Sequence, residues 1–114
     1  MPTAMESYRA QETEARFLAR VTDYANLSGW KWMHIRPGLN ERGRYRTPVH
    51  GPLGAGWPDL VLVRGERMIF AELKAERGRV TPLQWQVMET LNGAQAEVYV
   101  WRPSDWNGIL EILA

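Results

Sequence analysis

The chain has 114 residues, 45% hydrophobic and 24% charged, with a formal net charge of +1. That is enough for one globular core and no room for a second, and a balance so near neutral gives no argument from bulk charge for a nucleic-acid partner. No apolar run approaches the ~20 residues that a membrane helix needs, and the absence of cysteine excludes disulfides, thiolate metal sites and a cysteine nucleophile. We therefore expect residues 1–114 to form a single domain without a membrane partner, in a reducing cytoplasm. The start, Met1-Pro2-Thr3-Ala4-Met5-Glu6, lacks the basic-then-apolar pattern of a secretory signal.

Residues 6 to about 28 read as a first helix. Phe17, Leu18, Val21, Tyr24, Ala25 and Leu27 recur at three- and four-residue spacing and give one apolar stripe. Glu14 falls within that stripe, near Leu18, Val21 and Ala25 at 100° per residue, whereas Glu6, Glu12 and Asp23 are easier to place towards water. A carboxylate facing the core is expensive unless paired or bound to a cation. The alternative is that Glu14 lies a turn too early and stays wet.

Ser28-Gly29 ends this helix, and residues 30–35 form a first strand stopped by Pro37-Gly38. Residues 38–58 contain five glycines and three prolines without periodicity, so they read as a loop. Loops that long in a small domain are usually functional or disordered. Arg36, Arg42, Arg44 and Arg46 stand there against a single acid, Glu41, which suits phosphate contact as well as it suits an ordinary solvated loop.

Leu60-Val61-Leu62-Val63 and Met68-Ile69-Phe70-Ala71 read as strands, short and rich in β-branched and aromatic residues. Gly65-Glu66 between them suits a two-residue hairpin loop with φ > 0 at its first position. That loop pairs Arg64 with Arg67, Val63 with Met68 and Val61 with Phe70, and carries Asp59 opposite Glu72. Glu76-Arg77-Gly78-Arg79 then makes a basic turn. Thr81-Pro82-Leu83-Gln84 opens a second helix with a capping box and a proline at the first helical position. Leu83, Val87 and Leu91 carry its apolar stripe with Met88 beside them, and Asn92-Gly93 stops it. Residues 96–101 are a further strand, with Val98 and Val100 opposite in face to Tyr99 and Trp101. Pro103-Ser104-Asp105 opens a last helix over residues 106–113. The order α-β-β-β-α-β-α is an α/β fold, a mixed sheet flanked by helices.

The chemistry lies at the hairpin. Facing residues on an antiparallel pair have Cβ atoms ~4.5–5.5 Å apart, and like charges there are destabilising. A hard divalent cation such as Mg²⁺ between Asp59 and Glu72 removes the conflict, since it binds carboxylate oxygens and keeps several waters. Strand alternation puts Lys74 on the face of Glu72, where an ammonium can orient water or offset charge on a phosphate. The ordinary alternative is a surface hairpin whose Glu72 and Lys74 form a solvated pair. Gln84 can reach the same face, although its capping role already accounts for it. Trp85 follows, exposed for stacking on a base or sugar, or buried in the core. Six tryptophans in 114 residues favour either an oligomer interface or a nucleic-acid platform. His34 and His50 have no partner at zinc-ligand spacing, and there is no Walker loop, dinucleotide fingerprint or nucleophilic serine elbow.

Glu14, Gly56-Trp57-Pro58-Asp59-Leu60-Val61, Ala71-Glu72-Leu73-Lys74 and Gln84 together resemble the PD-(D/E)XK nucleases. Within them the chain looks like a stand-alone phage or bacterial VRR-NUC domain. The likeness runs from about residue 12 to residue 113 and includes Gly78-Arg79-Val80-Thr81-Pro82-Leu83-Gln84 and Val98-Tyr99-Val100-Trp101-Arg102-Pro103. The resemblance implies a restriction-endonuclease-like core and Mg²⁺- or Mn²⁺-dependent hydrolysis of DNA phosphodiesters. By the family pattern Asp59 and Glu72 ligate metal, the Leu73 carbonyl adds an oxygen, and Lys74 serves the attacking water. Glu14 matches the helical acid and Gln84 the helical glutamine.

Small members are similar to Holliday-junction resolvases, homodimers acting on branched DNA. Arg36, Arg42, Arg44, Arg46, Arg77 and Arg79 are the expected contacts to the DNA backbone, which position without reading sequence. The long Gly/Arg insert before Asp59 departs from the family and leaves the substrate open. Flap, nick or duplex cleavage by the same site is one rival reading, a catalytically inactive DNA-binding module a second, and a structural interaction protein a third.

Overall fold

The computed structural model describes residues 3–5, 12–35, 38–39, 45–46 and 49–114. Helix α1 spans Glu14–Leu27. Thr13 caps it from an extended backbone, its hydroxyl accepting from the Arg16 N–H at 3.1 Å, so the helix begins at 14 and does not run back through residues 12 and 13. Residues 6–11, where the sequence suggested its start, lie outside the described residues. Strand β1 (Lys31–His34) follows. Two-residue strands β2 (Gly38–Leu39) and β3 (Tyr45–Arg46) then pair antiparallel, and a 3₁₀ turn covers Gly54–Gly56. The expected loop over 38–58 is thus interrupted by regular structure too short to leave a periodic signal.

Strands β4 (Leu60–Arg64) and β5 (Arg67–Leu73) form the hairpin with the expected register, Arg64 opposite Arg67, Val63 opposite Met68 and Val61 opposite Phe70. Gly65 has φ +60, the left-handed conformation that a glycine takes without a Cβ clash. The like-charged pair at the turn is relieved by acceptors on both sides. Arg64 donates to the carbonyls of Ser28, Leu113 and Ala114. Arg67 donates to Ile112 O and bidentately to Glu97, at 2.9 and 2.6 Å. Helix α2 (Pro82–Gly93) carries the capping box on Thr81 and Gln84. Strand β6 (Glu97–Trp101) pairs parallel with β5, and α3 (Trp106–Leu113) closes the described chain.

The main sheet runs β1-β4-β5-β6, antiparallel except for the last pair. Phe17, Val21 and Ala25 of α1 and Ile109 and Leu113 of α3 pack on the face carrying Leu60, Leu62, Ile69, Ala71, Leu73 and Trp101, all at most 2% exposed. Burying each large aliphatic chain contributes about 1.5–3 kcal/mol. By alternation, Phe70, Glu72 and Lys74 point to the opposite side, where α2 lies.

Three burial assignments differ from the sequence reading. Leu27 is 85% exposed and Leu83 51% exposed. Leu27 is the last residue of α1, with no element over it, and α2 buries Val87 and Met88 instead. Glu12, expected towards water, is 6% exposed. It precedes the helix, and its carboxylate accepts from Arg20 Nη2 at 2.6 Å and Nε at 3.1 Å, a bidentate pair that offsets desolvation. The guanidinium also lies 4.3 Å from the Trp106 ring centroid. No helix among the described residues is long and apolar enough to cross a membrane.

Candidate active site

The β4–β5 ladder ends at Leu60 opposite Ala71, and Asp59 lies one residue beyond it. Its carboxylate supplies the next link in place of the main chain: Oδ1 accepts from the Leu73 N–H at 2.9 Å. Its carbonyl accepts from the Ile35 N–H at 2.7 Å. Asp59 is thereby fixed from two strands at once. Glu72, near the end of β5, projects to the α2 side. Lys74 Nζ is 3.4 Å from Glu72 Oε1, and Gln84 Nε2 donates to the same oxygen at 3.1 Å.

Asp59, Glu72, Lys74 and Gln84 line one cleft of about 310 Å³, together with Glu14 and His34. Glu14 occupies the first turn of α1, a turn ahead of the buried stripe. It is exposed as a residue, yet its side chain lines this cleft rather than the core. Of the other expected residues, Leu73 has its side chain in the core and meets the site through its N–H. Arg36, Arg42 and Arg44 lie outside the described residues, and Arg46 is described only as backbone of β3. Arg77 and Arg79 are exposed and line a different concavity.

His34, which has no partner at zinc-ligand spacing in the sequence, joins the cleft through the sheet. It ends β1, which pairs with β4 so that His34 faces Leu60, and its Nε2 is 3.4 Å from Asp59 Oδ2. Only the pairing of strands about 25 residues apart reveals this neighbour, and no local spacing carries it. Trp57 also lines the cleft, its ring 5.4 Å from Phe70 in an edge-on arrangement. Gly56 brings this segment against α2: a Cβ there would stand 2.4 Å from Leu83 O and 2.6 Å from Leu83 C, so only glycine allows the approach.

The electrostatics are those of crowded, incompletely neutralised acids. Burial, and next the charge of Asp59, push the Glu72 carboxyl up to about 7, against the partial opposition of Lys74. Burial pushes Asp59 up as well, opposed by the Leu73 N–H and His34. Glu14 is raised by burial and by Asp59. Among the described residues Glu72 Oε2 is buried without a hydrogen-bond partner, as is His34 Nδ1. Leaving a carboxylate oxygen so is expensive, and a hard cation is the partner its chemistry fits. Among the described residues no group of three His, Cys, Asp or Glu side chains is arranged to hold a metal by itself.

No protein-family model, curated protein or solved structure matches the chain.

Proposed function

We propose that the chain is a Mg²⁺- or Mn²⁺-dependent endodeoxyribonuclease, a phosphodiester hydrolase of restriction-endonuclease-like VRR-NUC type. The observation that carries this reading is the convergence of Asp59, Glu72 and Lys74 in one cleft, with an oxygen on Glu72 that is buried and unpartnered among the described residues. Acids crowded and desolvated beside an ammonium in a cleft support a phosphate-hydrolysing site over a solvated surface pair.

Asp59 and Glu72 would hold the cation. When bound, it supplies Lewis-acid polarisation of a phosphate oxygen and acidifies water. The chain's own side chains do the rest. Lys74 places an ammonium beside Glu72, where it orients water and offsets negative charge growing on the phosphate. Gln84 restrains Glu72 Oε1, and the Leu73 N–H and His34 restrain Asp59. Glu14 brings a third carboxylate from α1, able to accept a hydrogen bond from water in the cleft. The arginines of residues 36–46 hold the backbone of a branched, Holliday-junction-like DNA without reading sequence, and a homodimer matches the two-fold symmetry of a four-way junction.

The test is metal-dependent cleavage of labelled four-way, flap, nicked and linear duplex DNA. Paired symmetric nicks at the junction are expected from the wild type, and none from Glu72→Ala or Lys74→Ala, both of which keep DNA binding. Undiminished cleavage by Lys74→Ala would rule out its role. Light scattering at the monomer mass of 13.1 kDa under assay conditions would remove the dimer.

A further inference from the structure

A second concave surface, of about 590 Å³, lies beside the start of α2 between Arg77, Arg79, Pro82, Trp85 and Arg102. Its charge is one-sided. Arg77 and Arg79 are exposed, and among the described residues neither has a carboxylate partner. Arg102 donates to the carbonyls of Ala75 and Gly78, neutral acceptors that leave its charge unbalanced. The nearby acids, Glu76 and Asp105, are not among the residues that line the groove, and each is turned to a main-chain amide. Glu76 Oε2 accepts from the Ser104 N–H at 2.9 Å, and Asp105 Oδ2 accepts from the Arg102 N–H at 2.8 Å. Trp85 is 50% exposed; Trp32 is also exposed, at 40%, but its Nε1 donates to Asn26 Oδ1, and Trp30 and Trp101 are buried to 3% and 2%. Trp85 immediately follows Gln84, which reaches Glu72, so one helical turn borders both the cleft and this groove.

We propose that the groove binds an unpaired nucleic-acid strand and leads it to the cleft. Arg77 and Arg79 contact its phosphates, and Trp85 stacks on one of its bases. Charge alone selects a polyanion, while an exposed aromatic face selects an unstacked base, which an intact duplex does not offer. In taking the polyanion to be nucleic acid, this inference rests on the nuclease reading and adds to it that the branched DNA is engaged through a strand left unpaired, as where a branch point opens.

Fluorescence anisotropy with labelled oligo-dT and with a duplex of equal length, in EDTA, tests it without cleavage. Trp85→Ala is expected to weaken oligo-dT between about 5- and 150-fold, the loss of one base–aromatic stack. Duplex binding is expected to hold within about twofold, and Trp85→Phe to retain most of the affinity for oligo-dT. Arg77→Ala combined with Arg79→Ala is expected to flatten the log–log salt dependence for oligo-dT by about 1.4, two phosphate contacts on a single strand. All these side chains are exposed, and circular dichroism verifies that the variants fold. Wild-type affinity of Trp85→Ala for oligo-dT, or equal weakening of both DNAs, overturns the groove.

Mg²⁺-dependent cleavage by the same preparation scores the nuclease separately. Cleavage with no Trp85 effect removes only the groove, and Trp85-dependent binding with no cleavage removes only the nuclease.

Discussion

Gln84 bridges Thr81 and Glu72: its Oε1 accepts from the Thr81 N–H at 2.9 Å while its Nε2 donates to Glu72 Oε1 at 3.1 Å. One amide thus closes the cap of α2 and restrains a carboxylate of the cleft. Gln84→Glu keeps the capping acceptor and removes the donor, whereas Gln84→Ala removes both. Gln84→Ala should lose about 1 kcal/mol of stability through the cap alone. Gln84→Glu should be destabilised mainly in EDTA, where two carboxylates meet, with the loss shrinking on adding Mn²⁺. Thermal melts of the two variants with and without Mn²⁺ check this. An equal loss in both conditions would show that the Glu72 contact is idle.

The raised carboxyl of Glu72 makes stability fall with pH in the metal-free protein. Its ordinary value is 4.5 and burial carries it to about 7. Between those values the native state keeps a proton that the unfolded chain has released, so each unit of rising pH favours unfolding. Above about 7 the loss is complete, of order 1–3 kcal/mol. Asp59 and Glu14, also raised, act in the same direction. Glu97, held down by Arg67, changes only as pH falls below its ordinary range and does not enter this window. In EDTA the melting temperature should drop by several degrees from pH 5 to pH 8. Glu72→Gln should flatten most of that drop, and Mg²⁺ should raise the melting temperature at pH 8 but little at pH 5.

His34→Ala removes the imidazole beside Asp59 Oδ2 without touching the core cluster. Loss of a contact that orients a ligand typically costs 10–100-fold in metal affinity, so Mn²⁺ binding by calorimetry should weaken by about tenfold or more. Unchanged Mn²⁺ affinity would make His34 a bystander.

Gly56→Ala forces a methyl group against the Leu83 carbonyl. Overpacking of this kind costs about 1–3 kcal/mol, read as a lower melting temperature. Because the displaced backbone is that of Leu83 and Gln84, cleavage should fall more than stability alone explains. Wild-type stability would mean that the segment gives way freely.

The hairpin and the α2 cap were legible because their signals are local. Gly65-Glu66 sets the register of β4 and β5, and Thr81-Pro82-Leu83-Gln84 sets the helix start, within four residues each. Asp59, Glu72 and Lys74 followed from that register. The rest depends on tertiary partners. Glu12 is buried only because Arg20 and Trp106 enclose it, and His34 meets Asp59 only because β1 pairs with β4. Leu83 fits a helical stripe, yet the sheet lies under Val87 and Met88. The short β2–β3 ladder is set by pairing across the loop, with two residues a side too few for any alternation to be read.

The hydrogen bond from Ile35 N–H to Asp59 O ties off the chain at both ends of residues 36–58, directly beside the acids. That excursion is therefore a cassette clamped at its base. Exchanging only the part before the Gly54–Gly56 turn, and keeping Gly56 against Leu83 and Trp57 in the cleft, should on the proposed nuclease reading redirect which DNA is accepted while the acids stay in place, an architecture suited to diversification by loop grafting.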